Sequence, residues 1–417
     1  MKDYFKAFKN INKNMKLLLM IEFLVGFSLI GGITNVLQNI YIIRMGFDEA
    51  FIGVFSGVGL IIILMFTPIS AILGNKLGIK RSMILGILFS LIGIGLIPSV
   101  MFFPDKIRSF LLFFYNFIGG MGIAFYIVNV NPFIMKNTNE FERTHVYSAK
   151  SAITPIGGFI GSVFSGYITK FFSDFFDVNI KESPLPYSFT LFITPLILLF
   201  VLFLFYKMDD SINLYIDEDN DENTSNIPFN IMIISSLVLF FMIASEISMR
   251  NYINVYLDKI LFIDTSSIGW ILGFGQLIII PAALSTPILK KYFGLANTFV
   301  LSTILLIFSM IPIIIYENVY AASLSFILIV SFTNISRTSI TIFSLESVKQ
   351  KYHTFLSAVQ TISSTLGSAL IIFSGGFLIK DYGYNMLFLF AAFLTIFSVI
   401  LFYLYFYVIN KSFINGK

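Results

Sequence analysis

Uncharged apolar runs recur along this chain roughly every 25 to 35 residues, and most reach the length of about 20 residues that a helix needs to cross a bilayer. The runs at 50–73, 82–103, 109–135, 151–169, 265–289, 292–316, 318–336, 354–379 and 384–409 contain no charged side chain. The run at 189–206 is shorter and equally bare. Two others, 17–43 and 230–257, are interrupted only by Glu22 and by Glu246 with Arg250. A membrane barrel would alternate apolar and polar residues at every second position, and 388–400 shows no such alternation. The pattern therefore predicts an all-α polytopic membrane protein of about twelve spanning helices.

Composition agrees and narrows the class. Hydrophobic residues make up 57% of the 417 and charged residues 12%, with 50 Phe; the mean hydropathy is +0.88. That is more apolar surface than a water-soluble core can hide, so lipid must solvate it. Placing the N-terminus inside puts most of the 27 Lys and Arg on one side, from Lys2, Lys6 and Lys9 through Lys76, Lys80, Arg81, Lys290 and Lys291 to Lys411 and Lys417. This bias predicts cytoplasmic termini, and the net charge of +4 is read as a topology signal that calls for no nucleic-acid partner. The first run is too long for a signal-peptide core and no small-residue cleavage site follows it, so it is kept as a span.

The chain has no cysteine, which excludes disulfides, Fe–S clusters and thiol catalysis. His145 and His353 are too few to build a metal site without Cys and read as loop-capping residues. No cofactor and no metal are expected.

The long polar stretch at 207–228 carries Asp209, Asp210, Asp217, Glu218, Asp219, Asp221 and Glu222. Its like charge and low hydrophobicity predict a flexible acidic linker, dividing the chain into a six-helix bundle at 1–206, a linker at 207–229 and a second six-helix bundle at 230–417. The two halves also repeat. At an offset of 216 residues Gly53 falls on Gly269, Gly57 on Gly273 and Gly78 on Gly294; at 209, Gly158 falls on Gly367 and Gly166 on Gly375. Paired spacing at the same span number in each half points to duplication and pseudo-symmetry.

The loop between spans two and three, 71–81, then gives a resemblance. Its Gly78, Lys76 and the Lys80–Arg81 pair, with Gly74 one turn earlier, resemble the Gly-x-x-x-Asp-Arg-x-Gly-Arg-Arg signature of the major facilitator superfamily (MFS), with Ala71 at the first glycine and Asn75 at the acid. The resemblance implies the MFS fold, a monomer that alternates access by rocking, and a cytoplasmic gating loop at Gly74, Asn75, Lys76, Gly78, Lys80 and Arg81, with the acidic arm of its charge relay missing at Asn75. A helix turn with lipid-headgroup contacts explains the same residues. In span five, Thr154, Pro155, Gly157 and Gly158 are similar to the end of the Gly-Pro-x-x-Gly-Gly motif of the superfamily's drug/proton antiporters, which leans the reading towards export; Lys150 and Thr154 stand where that motif has glycines. Close helix packing explains Gly53, Gly57, Pro155, Gly157, Gly158, Gly269, Gly273, Gly367 and Gly375 equally well.

Ionisable and amide side chains inside a membrane mark a pathway or a structural pair. Glu246, Arg250 and Asn254 form one stripe of span seven, with Asn251 beside it. The 216-residue offset maps Asn251 and Asn254 onto Asn35 and Gln38. In span ten Asn334, Arg337 and Thr341 share a face, and span four offers Tyr126 and Asn129. The resemblance implies that spans one, four, seven and ten line the cavity, which makes Asn35, Gln38, Asn129, Asn251 and Asn254 candidate solute-binding residues. Glu246 is the first candidate for proton coupling, tuned by Arg250 and Arg337. It reads equally as a self-neutralising pair with Arg250, or as a gating bridge to Arg337. Glu22 is a second proton candidate, although its place near the start of span one favours snorkelling to the interface.

The expected function is secondary active transport of a small solute across the plasma membrane, with either coupled protonation or the solute gradient biasing the rocking. The alternatives are an uptake permease or facilitator of the same fold, a membrane sensor, or a polytopic membrane enzyme. No Gly-x-x-x-x-Gly-Lys loop exists for a nucleotide-driven pump, and no cluster of acids or histidines supports an enzyme.

Overall fold

The computed structural model describes residues 12–209, 229–349 and 352–409. Most of the acidic stretch, 210–228, lies outside the described residues, as do Lys2, Lys6, Lys9, Lys351, Lys411 and Lys417.

The described chain is built from helices. Span one is split into α1 (Lys13–Ser28) and α2 (Ile33–Arg44). Next come α3 (Glu49–Leu77) and α4 (Ile79–Leu96), which continues as a 3-10 turn over Ile97–Phe102, then α5 (Asp105–Asn137) and α6 (Glu140–Phe176). A short α7 (Leu185–Leu191) leads into α8 (Ile193–Tyr206). Beyond the acidic stretch are α9 (Phe229–Lys259), α10 (Thr265–Leu277), α11 (Ile279–Phe308), α12 (Ile311–Ile315), α13 (Val319–Glu346), α14 (His353–Tyr382) and α15 (Tyr384–Tyr403). Asparagine side chains start three of them, Asn12, Asn139 and Asn318 accepting from the N–H groups of Met15, Glu142 and Ala321, because those orphan donors have no partner within the helix.

Among the described residues 11 segments are long and apolar enough to span a membrane. One of them, Thr265–Ile315, is 51 residues long, or about 76 Å as a straight helix against a hydrocarbon core of about 30 Å. It cannot be one crossing. Gly294 breaks it, with φ 74 and ψ 165, so the segment makes two and the described residues contain the expected twelve. Gly294 is the partner of Gly78 under the 216-residue offset, and Gly78 turns the chain between α3 and α4 at φ 92 and ψ 143. A Cβ would meet nothing within 4 Å at either position, so only backbone conformation demands glycine there. That region is open essentially to glycine alone, at a cost of about 1–3 kcal/mol for other residues. Gly78→Ala and Gly294→Ala should each lower the melting temperature in detergent, and Asn should rescue neither; an Ala variant that melts like the parent would refute this.

The chain forms two compact units, and each borrows a segment from the other half of the sequence. One comprises Met1–Phe47, Ile61–Asp221 and Asp264–Gln276; the other Asp48–Leu60, Glu222–Ile263 and Leu277–Lys417. The core of the first gathers Leu18, Ile21, Met83, Phe133, Leu198 and Phe205 from α1, α4, α5 and α8. In the second, Phe402 packs tilted against Phe299 and Phe406 and edge-on to Phe343, with ring centroids 4.5, 4.8 and 5.5 Å away. Large apolar side chains such as Phe110, Phe175, Leu196 and Phe393 are exposed, as expected of surfaces that face lipid.

The borrowed segments are copies of each other. In the second unit Gly53 and Gly57 of α3 lie against Ile372, Gly376 and Ala369 of α14; in the first, Gly269 and Gly273 of α10 lie against Ser162, Val163 and Phe159 of α6. At the 209-residue offset Ile372 falls on Val163, and Ala369 falls one residue from Phe159. Gly158 abuts Ile30 and Gln276, Gly367 abuts Phe240, and Gly375 abuts Tyr252 and Leu387. Small residues are needed where backbones approach this closely.

Candidate functional site

In the first unit the site is built around α1. Glu22 is buried, 3% exposed, so it does not snorkel as its position near the start of the span suggested. The physical reason is two hydroxyl donors that replace water: Tyr126 Oη of α5 donates to Glu22 Oε1 at 2.9 Å and Thr154 Oγ1 of α6 to Oε2 at 2.9 Å. No Lys, Arg or His pairs with Glu22 among the described residues. Six residues on, α1 ends at Ser28. The backbone of 29–32 is not helical, Gly31 takes φ 87, and the Gly31 carbonyl accepts from Ser162 Oγ. A Cβ on Gly31 would strike the side chain of Gln276. This break was not foreseen, although a Gly-Gly pair inside an apolar run is the available signal.

Asn35 and Gln38, on α2 just beyond the break, are exposed and half-buried. Asn129 is buried and bonded within the fold: its Nδ2 donates to Ser70 Oγ and to the Phe125 carbonyl, both at 2.9 Å. Gly74 leaves the room for that amide, since a Cβ there would overlap Asn129 Oδ1. The rest of the loop signature lies at the surface. Asn75 and Lys76 form the exposed end of α3, Gly78 turns, Arg81 is exposed, and Lys80 Nζ donates to the Met208 carbonyl at 2.7 Å.

The second unit holds the ionic site. Glu246 of α9 is 5% exposed; its Oε1 accepts from Arg250 Nε at 2.7 Å and its Oε2 from Arg337 Nη2 of α13 at 2.7 Å. The two alternatives left open by the sequence are thus realised together: the pair within one helix and the bridge between two. Asn254 is buried and accepts from the Val255 N–H at 2.9 Å, Asn251 is half-buried, and Asn334 Nδ2 donates to its own helix at Val330 O, 2.8 Å away. His353 caps its loop, its Nε2 lying 3.2 Å from the Val348 carbonyl.

The same unit contains a second polar cluster that the sequence reading passed over. Glu49, buried at the first turn of α3, bonds Lys259 Nζ at 2.7 Å and Tyr384 Oη at 3.3 Å, and Asp48 pairs with Lys380 at 2.8 Å. The hydrogen bond from Lys380 holds the Asp48 carboxyl below the usual aspartate range. These residues sit at the rims of uncharged runs, where charge is ordinary, so nothing in composition singled them out. Among the described residues no group of three or more His, Asp or Glu could hold a metal ion.

Twelve crossings among the described residues, a broken first span and the buried carboxylates Glu22 and Glu246 in separate units define a multi-pass membrane protein with polar sites inside its spans. The family model of the Major Facilitator Superfamily matches residues 18–370, and the chain belongs to that superfamily of secondary transporters. Among solved structures, a bacterial homologue of the human lysosomal transporter Spinster, in an inward-facing and occupied conformation, superposes with a TM-score of 0.73 at 12% identity over 94% of this chain and 95% of that one. The nucleoside transporter NupG gives 0.71 at 14% identity over 94% and 98%. A D-xylose–proton symporter gives 0.73 at 12% identity over 94% and 98%. At these identities the likeness is one of fold. No curated protein matches the sequence.

Proposed function

We propose that the chain is a proton-coupled transporter that carries a small solute by alternating access, with Glu22 as the proton-accepting group. The observation that carries this reading is the environment of Glu22: a buried carboxyl held by two hydroxyls, with no cation beside it among the described residues. A proton arriving there breaks no ion pair. A proton on Glu246 would break two, so the coupling role first assigned to Glu246 passes to Glu22. Tyr126 and Thr154 come from two other spans, so a change in the charge of Glu22 alters what holds α1 to α5 and α6. That is the local event a rocking transporter needs.

The lysine and arginine bias supports cytoplasmic termini and a plasma-membrane location, and the transporter is taken to act as a monomer. The fragment Pro155, Gly157 and Gly158 favours export over uptake. Glu22→Gln keeps the shape of the side chain and one acceptor oxygen while removing the carboxylate. In proteoliposomes with a trapped pH dye, solute-driven proton movement should fall to background in this variant, while solute exchange without a gradient persists. Proton movement unchanged in Glu22→Gln would overturn the assignment.

A further inference from the structure

We infer that the Glu246, Arg250 and Arg337 cluster is a binding site for the anionic group of the transported solute, a carboxylate or phosphate; this rests on the reading of the chain as a transporter. Three observations carry it. The first is charge. One carboxylate faces two guanidiniums that are permanently charged, so the cluster holds a surplus of one positive charge within two membrane spans. Uncompensated charge at that depth is costly and calls for a partner or water.

The second is unused donors. A guanidinium carries five N–H groups in a fixed fork. Arg250 spends Nε on Glu246 and Arg337 spends Nη2, and among the described residues neither has a second protein acceptor. Each oxygen of Glu246 meanwhile already accepts one guanidinium bond.

The third is exposure. The Glu246 side chain is 7% exposed, that of Arg250 23% and that of Arg337 48%. The acid lies underneath and the open edges belong to the cations. In this arrangement Glu246 positions the two forks, and the forks remain free to grip a planar or tetrahedral oxyanion with paired, charge-assisted hydrogen bonds. A neutral sugar would leave the surplus charge unanswered, and a cation would be repelled by it.

The test uses the full chain in nanodiscs of zwitterionic lipid. Melting temperatures are recorded with benzoate, glutamate, inorganic phosphate and glycerol phosphate, and with glucose, uridine and lysine, each at matched ionic strength against potassium chloride. At least one of the four anions should raise the melting temperature in a saturable way, as a ligand of the native state does. Its apparent affinity should fall about tenfold or more in Arg337→Gln and in Arg250→Gln, and Arg337→Lys should recover only part, because a lysine lacks the fork. Arg44→Gln serves as the control and should leave the anion effect intact.

Stabilisation confined to glucose, uridine or lysine, or an anion effect that survives Arg337→Gln, overturns the inference. So does equal stabilisation by phosphatidylglycerol with no free anion present, which would make a lipid headgroup the occupant. Variants that fail to fold are replaced by a competition readout on the parent, in which chloride must not displace a bound radiolabelled anion at equal concentration. The transporter reading fails separately: it falls only if no solute, charged or neutral, crosses the membrane of proteoliposomes, whereas a neutral solute whose flux ignores Arg337→Gln sinks the anion inference alone.

Discussion

Glu246→Ala is expected to be among the most destabilising single substitutions in the protein. Removing the acid leaves two guanidiniums, each 9 residues from the nearer end of its helix, with no counter-charge between them. Breaking a buried pair from one side typically costs about 3–5 kcal/mol, and the half-exposed Arg337 places this case near the lower end. The reverse experiment separates charge from packing. Glu246→Met combined with Arg250→Met and Arg337→Met removes all three charges at similar volume and should restore the melting temperature in detergent to that of the parent or above it, while abolishing solute flux. If Glu246→Ala melts like the parent, the two bonds of 2.7 Å do not hold the unit together.

That expectation is partly legible in the sequence. Ionisable residues are so rare in spans that the partners of Glu246 could be narrowed to Arg250, one turn away on its own helix, and Arg337, 91 residues on. The number of crossings was legible for a similar reason: a spanning helix must be built from one contiguous apolar run, whatever it packs against. The duplication was legible in glycine spacing, because close helix approach leaves no alternative residue. Even the turn glycines Gly78 and Gly294 share the same unusual backbone conformation.

What stayed hidden depends on contacts between distant spans. Glu22 reads as an interfacial acid from its place in the run, and only the arrival of Tyr126, 104 residues on, and of Thr154, 132 residues on, makes its burial tenable. Thr154 departs from a glycine motif. The structure gives the departure a purpose, since a glycine there could not donate to Glu22. The split of span one at 29–32 was equally hidden, because apolar composition is blind to whether a backbone is wound. Asn129, a candidate for solute contact by its place in span four, instead bonds Ser70 across two helices and holds open the notch that Gly74 leaves.

The contact that brings Thr154 to Glu22 is made by glycine, and it yields the other large effect. Gly26 of α1 faces the Thr154 carbonyl, while Gly157 and Gly161 of α6 face the carbonyls of Phe23 and Phe27. A Cβ at any of the three would overlap a backbone oxygen. Neither helix has a flexible side chain to move aside there, so α1 and α6 must separate. Overpacking of this kind costs about 1–3 kcal/mol per inserted methyl, and more for a larger side chain. Gly161→Leu should therefore abolish recovery of folded protein from the membrane. Gly161→Ala should fold with a lowered melting temperature and a weakened response to a pH gradient, because the separation also lengthens the bond from Thr154 to Glu22. Gly57→Ala is the informative comparison: its Cβ would sit 3.2 Å from the Ala369 carbonyl, a contact that a shift of a few tenths of an ångström relieves, and the variant should keep both stability and coupling. Equal melting temperatures for Gly161→Ala and Gly57→Ala would show that α1 and α6 are not held as closely as these carbonyl contacts require.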